Sequence, residues 1–289
     1  MKTNDPPPVG ERYRPALDAA GLNDALAARP ALWREVRVVG ETGSTNADLL
    51  AEARRGAREG LVLVAEAQTG GRGRMGRRWI TPPRSALTFS VLLRPAVVPA
   101  GLLGWVPLLA GVAVASALAE TAGVDARLKW PNDVLADGAK LAGILAERWG
   151  ETVVVGTGIN VFQERDELPV PTATSVLLAA PPTATAGVDL RERLLIAVLG
   201  ELARWYRAWL DQPHPGDADG CGLRQEYLRH SGTVGAMVTV MLPGAQHLTG
   251  TATGIDPAGR LELRTSTGLV QVSAGDVVHL RRADTAAAP

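Results

Sequence analysis

The sequence has little of several features that would define its class. Its 289 residues include one cysteine, Cys221, so an internal disulfide framework is excluded and a reducing, cytoplasmic compartment is expected. The formal net charge is +0, which argues against a protein held on nucleic acid by bulk electrostatics. None of the four histidines has a cysteine or histidine at zinc-ligand spacing, so no structural zinc is predicted. Hydrophobic residues make up 46% of the chain, which is enough for a folded core.

Two further absences concern membranes and targeting. The first residues, MKTNDPPPVG, contain no apolar segment, so a signal peptide is not predicted, and residues 1–30 are expected to be mobile or loosely attached. One uncharged stretch, residues 101–119, approaches the length of a membrane-spanning helix. Pro107 lies inside it and glycine and alanine make up much of it, so we interpret it as a buried core helix and expect no membrane association.

Hydrophobic periodicity and turn residues predict the fold class. Strands are predicted over 34–42, 61–67, 86–94 and within 127–161, with Asp137-Gly138 as a hairpin turn, and helices over 44–56 and 189–210. Because strands and helices do not alternate regularly, we predict an α+β fold with a mixed or antiparallel sheet and packed helices. After about Thr233, short alternating runs separated by turns predict a small β-barrel that docks on the main domain. The predicted divisions are 1–30, 31–232, 233–282 and a frayed tail, 283–289.

Lysine is rare, and its positions are informative. Of 30 basic residues only Lys2, Lys129 and Lys140 are lysine, so this chain uses arginine wherever a generic surface cation is enough. Lysine presents a compact point charge suited to one oxygen of a phosphate or carboxylate. Lys129 and Lys140 therefore stand out as candidate ligand-binding residues, although survival by drift is the alternative explanation.

A Gly- and Arg-rich segment, EAQTGGRGRMGRRW (66–79), carries four glycines and four arginines. No aspartate or glutamate occurs between Ala67 and Ala119, so the surrounding region is locally electropositive. Such a segment is typical either of a flexible nucleic-acid-binding tail or of a loop that wraps an anionic ligand. Its short length and its place between two buried strands favour the loop. It lacks the spacing of a phosphate-binding P-loop.

Several motifs in series now carry a resemblance. GSTNADL (43–49), the Gly/Arg segment, LKWPNDV (128–134), KLAGILAE (140–147) and GTGINV (156–161) resemble, in order and spacing, the biotin–protein ligases. The resemblance covers about residues 34–282. It implies a catalytic domain related to class II aminoacyl-tRNA synthetases and a C-terminal SH3-like domain. It also implies ATP-dependent formation of biotinyl-5'-adenylate and transfer of biotin to a lysine of a biotin carboxyl carrier protein.

The resemblance assigns roles residue by residue. The residues it assigns to biotin are Ser44, Thr45, Asn46, Gln68, Gly71, Arg72, Gly73, Arg74, Lys140 and Gly143. Those assigned to ATP are Arg74, Arg77, Trp79, Lys129, Asn132, Asp133, Lys140 and Asn160. Lys140 and Arg74 are the predicted catalytic residues, and Asp133 is the predicted oxygen ligand for Mg²⁺. Met75 stands where the family frequently has a basic residue.

The chemistry fits these residue types, because joining a carboxylate to the α-phosphate of ATP requires cations rather than a nucleophile. Each motif keeps a structural alternative: a helix N-cap at Ser44-Thr45-Asn46, a turn at Trp130–Asp133, close packing at GTGIN, and core positions for Trp79 and Trp130. A lipoate–protein ligase and an Arg-loop nucleic-acid-binding module remain the alternative functions. The residues before Trp33 are too few and too interrupted by proline for a helix-turn-helix, so no DNA partner is expected. The expected partner is the carrier domain, and the expected state is a monomer or weak homodimer.

Overall fold

The computed structural model describes residues 14–27, 32–181, 189–242, 244 and 246–279. Its helices are α1 (Ala19–Ala27), α2 (Thr45–Arg54), α3 (Trp105–Ala122), α4 (Val176–Ala179), α5 (Leu190–Leu210) and α6 (Leu223–His230). Strands of the main unit are β1 (Glu35–Val39), β2 (Leu61–Ala65), β3 (Ala86–Leu93), β4 (Arg127–Lys129), β5 (Asp133–Ala136), β6 (Ala139–Trp149) and β7 (Thr152–Asn160). The C-terminal strands are β8 (Met237–Met241), β9 (His247–Ile255), β10 (Leu261–Thr265), β11 (Gly268–Val272) and β12 (Asp276–His279).

The main sheet has seven strands in the order β1-β2-β3-β7-β6-β5-β4. Its first pair, β1 and β2, is parallel, and the other neighbours are antiparallel, so the predicted mixed sheet is confirmed. The predicted Asp137-Gly138 turn joins β5 to β6. Both residues have positive φ (49° and 77°), as a two-residue hairpin turn requires.

Helices cover both faces of this sheet because its strands alternate side chains between two cores. Val62 and Val64 of β2 face the large core that contains α3 and α5, whereas Leu61 and Leu63 face α2 on the other side. The segment Ala100–Ala122 is long and apolar enough to cross a membrane by composition, but 67% of its most apolar window is buried inside the protein. The prediction of a buried core helix is therefore confirmed for α3.

The C-terminal unit is a five-stranded antiparallel sheet in the order β11-β10-β9-β8-β12. Its interior is small and contains alternating side chains such as Val238 and Val240. Two tryptophans of the main unit bind its β9–β10 turn, since Trp105 Nε1 donates to Pro257 O at 2.8 Å and Trp130 Nε1 donates to Gly259 O at 3.1 Å. Docking on the main unit was predicted and is observed.

The N-terminal segment departs from its prediction. Residues 14–27 pack against the main unit: Leu22 and Leu26 of α1 are buried, and Arg191 Nη1 lies 2.5 Å from Glu66 Oε2 beneath the chain at Pro15. Glu66 Oε1 also accepts from the backbone N–H of Leu17 at 2.7 Å. Loose attachment is therefore wrong for residues 14–27. Residues 1–13, 28–30 and the predicted frayed tail 283–289 lie outside the described residues.

Candidate functional site

A cavity of about 930 Å³ opens on the face of the main sheet that carries α2. Its walls are the N-terminal end of α2, the Gly/Arg segment, β5, β6, β7, the loop 169–173 and the end of β12. Of the residues predicted for the site, the cavity is lined by Ser44, Thr45, Asn46, Gln68, Arg72, Gly73, Arg74, Arg77, Trp79, Lys129, Asn132, Asp133, Lys140, Gly143 and Asn160. The structure therefore brings together motifs that are more than one hundred residues apart in the chain.

One end of the cavity is a hydrogen-bonded polar cluster at the start of α2. Ser44 caps the helix, accepting from the Ala47 N–H at 3.4 Å, so the N-cap alternative is observed at a residue that also lines the cavity. Gln68 Oε1 accepts from the Thr45 backbone N–H at 2.8 Å, which leaves the Gln68 amide nitrogen free to donate elsewhere. Asn46 Nδ2 donates to Glu147 Oε2 at 2.8 Å and to Leu145 O at 3.1 Å.

The number of hydroxyl hydrogens in this cluster limits the hydrogen bonds that it can offer a ligand. Ser90 Oγ lies 2.7 Å from Thr45 Oγ1 and 2.6 Å from Asn46 Oδ1, while Thr45 Oγ1 lies 3.1 Å from Gln68 Oε1. Three contacts thus share only the two hydroxyl hydrogens of Ser90 and Thr45. Ser90 has one hydrogen to donate, to Asn46 Oδ1 or to Thr45 Oγ1, and the Thr45 hydroxyl donates to Gln68 Oε1. Thr45 Oγ1 then retains lone-pair capacity for a ligand N–H.

Two glycines of β7 make room for site side chains. A Cβ at Gly156 would lie 2.3 Å from Asn46 Oδ1, and a Cβ at Gly158 would lie 2.4 Å from the Trp79 indole. The close-packing alternative for GTGIN is therefore correct, and what is packed is the site itself. Trp79 Nε1 is buried without a hydrogen-bond partner among the described residues, so it can donate to a ligand acceptor.

The opposite part of the cavity is strongly cationic. Its described lining contains the six cations Arg72, Arg74, Arg77, Arg78, Lys129 and Lys140 and one carboxylate, Asp133. Lys140 Nζ lies 2.5 Å from Asp133 Oδ1 and 6.0 Å from the centre of the Trp79 ring, and Lys129 Nζ lies 3.9 Å from Asp133 Oδ2. A cavity with this excess of positive charge favours an anionic ligand.

A bulge in the sheet aims Lys140 at this position. The register shifts between Val134, which faces Ala142, and Leu135, which faces Lys140, so Leu141 is the extra residue. The backbone of Lys140 is fixed on its other side as well, because its N–H donates to Thr172 O at 2.8 Å and its C=O accepts from the Thr174 N–H at 2.8 Å. The main chain of Lys140 is therefore held from both sides.

The Gly/Arg segment forms a short hairpin over the cavity, which we call the lid (residues 70–79). Arg72 and Arg78 form an antiparallel bridge, and the Gly73 N–H donates to Arg77 O at 2.7 Å. At its tip Met75 has φ 54° and Gly76 has φ 74°, a left-handed pair that makes the reversal. The lid closes on its base because the Trp79 N–H donates to Gly71 O at 2.9 Å.

The chain is similar in sequence and in structure to known proteins. Residues 41–161 match the Biotin/lipoate A/B protein ligase family, and residues 233–280 match the Biotin protein ligase C terminal domain. A biotin–[acetyl-CoA-carboxylase] ligase from Mycobacterium tuberculosis is 45% identical over 278 residues, which cover 94% of this chain and 98% of the relative. A bifunctional ligase/repressor from Escherichia coli is 32% identical over 232 residues, covering 78% of this chain and 68% of that protein. A structure of the Aquifex aeolicus biotin protein ligase in complex with biotin and ATP superposes with a TM-score of 0.70 at 28% identity, covering 86% of this chain and all of that one.

The chain belongs to the biotin–protein ligase family. The resemblance drawn from the motifs is thereby confirmed, and with it the predicted enzyme class. The C-terminal match and the curated relatives favour a biotin–protein ligase over the lipoate–protein ligase and the nucleic-acid-binding module.

Three predicted ligand contacts of this biotin–protein ligase family member have structural duties instead of, or besides, a ligand role. Gly71 does not line the cavity: a Cβ there would lie 2.2 Å from Trp79 O, so it permits the closure of the lid base. Asn160 donates to Thr174 O at 2.9 Å and accepts from Gln163 Nε2 at 3.1 Å, which uses both polar atoms inside the protein. Asn132 Nδ2 donates to Ile144 O at 2.9 Å.

The sequence left open whether Trp79 and Trp130 are core residues or site residues, and the structure distinguishes them. Trp79 lines the cavity, whereas Trp130 is buried with its Nε1 bonded to the C-terminal unit and is a core residue. The Trp130-Pro131 peptide bond is cis, in the turn that presents Asn132 and Asp133. The turn alternative is therefore observed at this motif, and Asn132 and Asp133 also line the cavity.

Other site residues had no signal in the sequence. Ser90 and Glu147 orient Asn46; Ser90 lies within β3 outside every motif, and Glu147 ends the KLAGILAE motif but was assigned no role. His279 reaches the cavity from β12, where its Nε2 lies 3.2 Å from Thr233 Oγ1. Burial, with a smaller effect of the Lys129 ammonium, lowers the pKa of the His279 imidazole below its ordinary value. Asp276, on the same strand, contacts the lid.

Proposed function

We propose that this protein activates biotin with ATP to biotinyl-5'-adenylate and transfers the biotinyl group to one lysine of a biotin carboxyl carrier protein. The observation that carries the proposal is the cavity itself, which joins a polar cluster of defined hydrogen-bond polarity to a cationic half with a single carboxylate. Such a cavity suits an uncharged polar head group at one end and phosphates at the other. The relative from Mycobacterium tuberculosis is named as a biotin–[acetyl-CoA-carboxylase] ligase, which agrees with this proposal.

The polar end suits biotin better than lipoate. A ureido ring offers N–H donors and a carbonyl acceptor, which match the lone pair left on Thr45 Oγ1 and the free amide nitrogen of Gln68. A dithiolane ring offers neither. Lipoate would leave both protein groups buried and unpaired, and a site built for hydrogen bonding rejects an analogue that lacks them.

The cationic end suits the adenylation step. Lys140 would neutralise the biotin carboxylate and the α-phosphate as they approach, while Lys129 and Arg74 would balance the remaining phosphate charge. No protein nucleophile is required, because the biotin carboxylate itself attacks the α-phosphorus and pyrophosphate leaves. The lid would exclude water from the resulting mixed anhydride, which water would hydrolyse.

The donor set fits Mg²⁺ delivered with ATP. Within the described residues, no group of three His, Cys, Asp or Glu side chains is arranged to hold a metal ion. Mg²⁺ is commonly held by one or two carboxylates, substrate phosphates and water, and Asp133 is the one carboxylate on the described cavity wall. Asp133 would hold the ion, and the ion would supply charge neutralisation for the phosphates.

The finer structural and cellular assignments belong to the same proposal. The catalytic unit, residues 31–232, is assigned to the class II aminoacyl-tRNA synthetase-like fold, and residues 233–282 to an SH3-like barrel. The protein is assigned to the cytoplasm as a monomer or weak homodimer without a membrane partner. Sequence-specific DNA binding is not expected, and a gel-shift titration with biotin and ATP present checks this: tight binding that depends on DNA sequence would contradict it.

The activity is tested by incubating the protein with biotin, Mg-ATP and a carrier domain and measuring the mass of the acceptor. One added biotinyl group is expected, absent when ATP is omitted and absent on a carrier whose acceptor lysine is replaced by arginine. Lipoate in place of biotin should give less than about one hundredth of the rate, since the two unpaired polar groups each disfavour it. Equal modification by lipoate would remove the argument from the polar cluster.

A further inference from the structure

The C-terminal unit reaches the lid through one carboxylate. Asp276, the first residue of β12, forms an ion pair with Arg77 Nη2 of the lid, and its other oxygen lies 4.0 Å from Arg74 Nε. The neighbouring carbonyl of Gly275 accepts from Arg74 Nη2 at 3.3 Å. Two arginines from the tip of the lid thus meet two adjacent residues of a strand about two hundred positions away in the chain.

The two sides of this contact differ in rigidity. Asp276 is held by strand pairing, since β12 runs antiparallel to β8 with Asp276 opposite Met241. The chain beside it is closely packed, because a Cβ at Gly275 would lie 2.7 Å from Val240 Cγ1 and 2.9 Å from Met241 O. The lid has four glycines in the range 70–76 and so has much conformational entropy to lose on ordering. The contact therefore restrains the lid rather than the barrel.

Asp276 also compensates a repulsion inside the lid. Burial and the neighbouring Arg77 guanidinium lower the pKa of Arg74, whereas Asp276 acts in the opposite direction. The Arg74 side chain is 27% exposed, and its Nε has no hydrogen-bond partner within the described residues. Without the Asp276 carboxylate, two guanidinium groups would remain side by side at a half-buried position, an arrangement that favours opening of the lid.

We propose that Asp276 is a positioning residue that holds the lid over the cavity and directs Arg74 to the ligand phosphate. Its consequence for the reaction rests on the proposed function, but the restraint on the lid is a property of the ligand-free protein. Asp276 does not line the cavity itself, so it acts through Arg74 and Arg77. The C-terminal unit would thereby contribute to substrate retention without touching the reacting atoms.

The restraint is tested by hydrogen exchange of the ligand-free full chain, measured by mass spectrometry on peptides that span residues 68–79. Asp276→Asn and Arg77→Gln should each raise lid exchange about three- to tenfold, the range expected for loss of a partly buried ion pair. The double variant should exchange no faster than Asp276→Asn alone, because Asp276→Asn already removes the ion pair with Arg77. Glu262→Gln, on β10 away from the lid, is the matched control and should leave lid exchange unchanged.

Two outcomes of this experiment would overturn the proposal. The first is wild-type lid exchange in Asp276→Asn with a normal melting temperature. The second is additive effects of Asp276→Asn and Arg77→Gln, which would mean that they act through separate contacts. Asp276→Glu guards against a folding defect, because restoring the carboxylate should bring lid exchange back toward wild type. Raised exchange throughout β8 and β12, with no recovery in Asp276→Glu, would assign Asp276 to barrel stability and would also overturn the proposal.

The effect of Asp276→Asn on the reaction is measured in a separate kinetic experiment. In Asp276→Asn the KM for ATP should rise about fivefold and dissociation of biotinyl-5'-adenylate should accelerate by a similar factor, while pyrophosphate release at saturating ATP changes less than twofold. Asp276→Glu should recover most of the affinity. A change in kcat alone would contradict a positioning role. If the protein made no biotinyl-5'-adenylate at all, the proposed function would fail, whereas the exchange experiment would still decide the restraint.

Discussion

The sharpest prediction concerns Lys140, the residue that the chain's own preference for arginine singles out. Lys140 Nζ lies 2.5 Å from Asp133 Oδ1 and 6.0 Å from the Trp79 ring centre, and the position of a Cβ on Gly143 would be only 3.4 Å from Lys140 Cε and Nζ. This volume accepts a compact ammonium. A guanidinium is longer, broader and planar, so Lys140→Arg must displace Trp79 or move its charge past Asp133.

The size of the effect follows from the geometry. A preorganised charge contact that strengthens in the transition state typically contributes about 2–4 kcal/mol, or about 10²–10³ in rate. Lys140→Arg keeps the charge but misplaces it, so we expect biotinyl-5'-adenylate formation to be at least about tenfold slower. Lys140→Ala should be slower still. Folding should be retained, because Asp133 keeps Lys129 at 3.9 Å and the backbone bonds of Lys140 do not depend on its side chain.

The assay separates the two half-reactions. Pyrophosphate release measures adenylate formation, and carrier biotinylation from pre-made biotinyl-5'-adenylate measures transfer, which should suffer less because its carboxylate is already activated. Arg55→Lys, at a side chain that is 73% exposed, is the matched control for a harmless exchange between the two cations. Wild-type pyrophosphate release from Lys140→Arg would return Lys140 to a generic surface charge and refute the reasoning.

Three further predictions follow from the same contacts. Gly158→Ala places a Cβ 2.4 Å from the Trp79 indole and should force that ring into the cavity, so ATP affinity measured by calorimetry should fall at least about tenfold. The control is Gly138→Ala, whose Cβ would meet nothing within 4 Å and which therefore tests turn strain alone. Equal losses of ATP affinity in the two variants would refute the packing argument. Trypsin should cut after Arg72, Arg74 or Arg77 in the ligand-free protein and be blocked by biotin plus ATP, and equal cleavage rates would argue against a lid. Because the pKa of His279 is lowered below 6.5 in the folded protein, the unfolded state takes up a proton first as pH falls, so the free energy of unfolding should decrease as pH drops from above 6.5 toward that lowered pKa. His279→Asn should flatten this part of the stability curve measured by urea unfolding, and an unchanged slope would contradict the assignment.

Local signals in the sequence determined the elements that depend on short-range interactions. Ser44 predicted the start of α2 because its side chain satisfies a backbone N–H only three residues away. Asp137-Gly138 predicted the β5–β6 turn because few residue pairs accept positive φ at both positions. The uncharged run over 101–119 predicted a buried helix. The lysine count and the charge gap between 67 and 119 singled out segments that line the cationic half of the cavity, and the motifs in series identified the family.

Two short helices with few apolar residues on one face, α1 and α6, were not predicted from the sequence. Helix α6, LRQEYLRH, has four charged or histidine side chains in eight residues, and only Leu223, Tyr227 and His230 are buried. Helix α1 lies in a stretch interpreted as mobile, yet Leu22 and Leu26 are buried and Asn23 bonds across to the backbone of Val36. Tertiary contacts stabilise these segments, and no local propensity reports such contacts.

The tertiary structure alone decided the partners of the site residues. Four of these contacts are consequences of strand register and of how the two units dock: Glu147 holds Asn46, Ser90 bonds to Thr45 and Asn46, a bulge at Leu141 aims Lys140, and Asp276 faces the lid. Capping and turn formation involve neighbours along the chain, so a sequence window contains their causes. Register and docking result from the burial of whole faces, to which residues a hundred or more positions apart contribute together, and no window of the sequence contains both sides of those contacts.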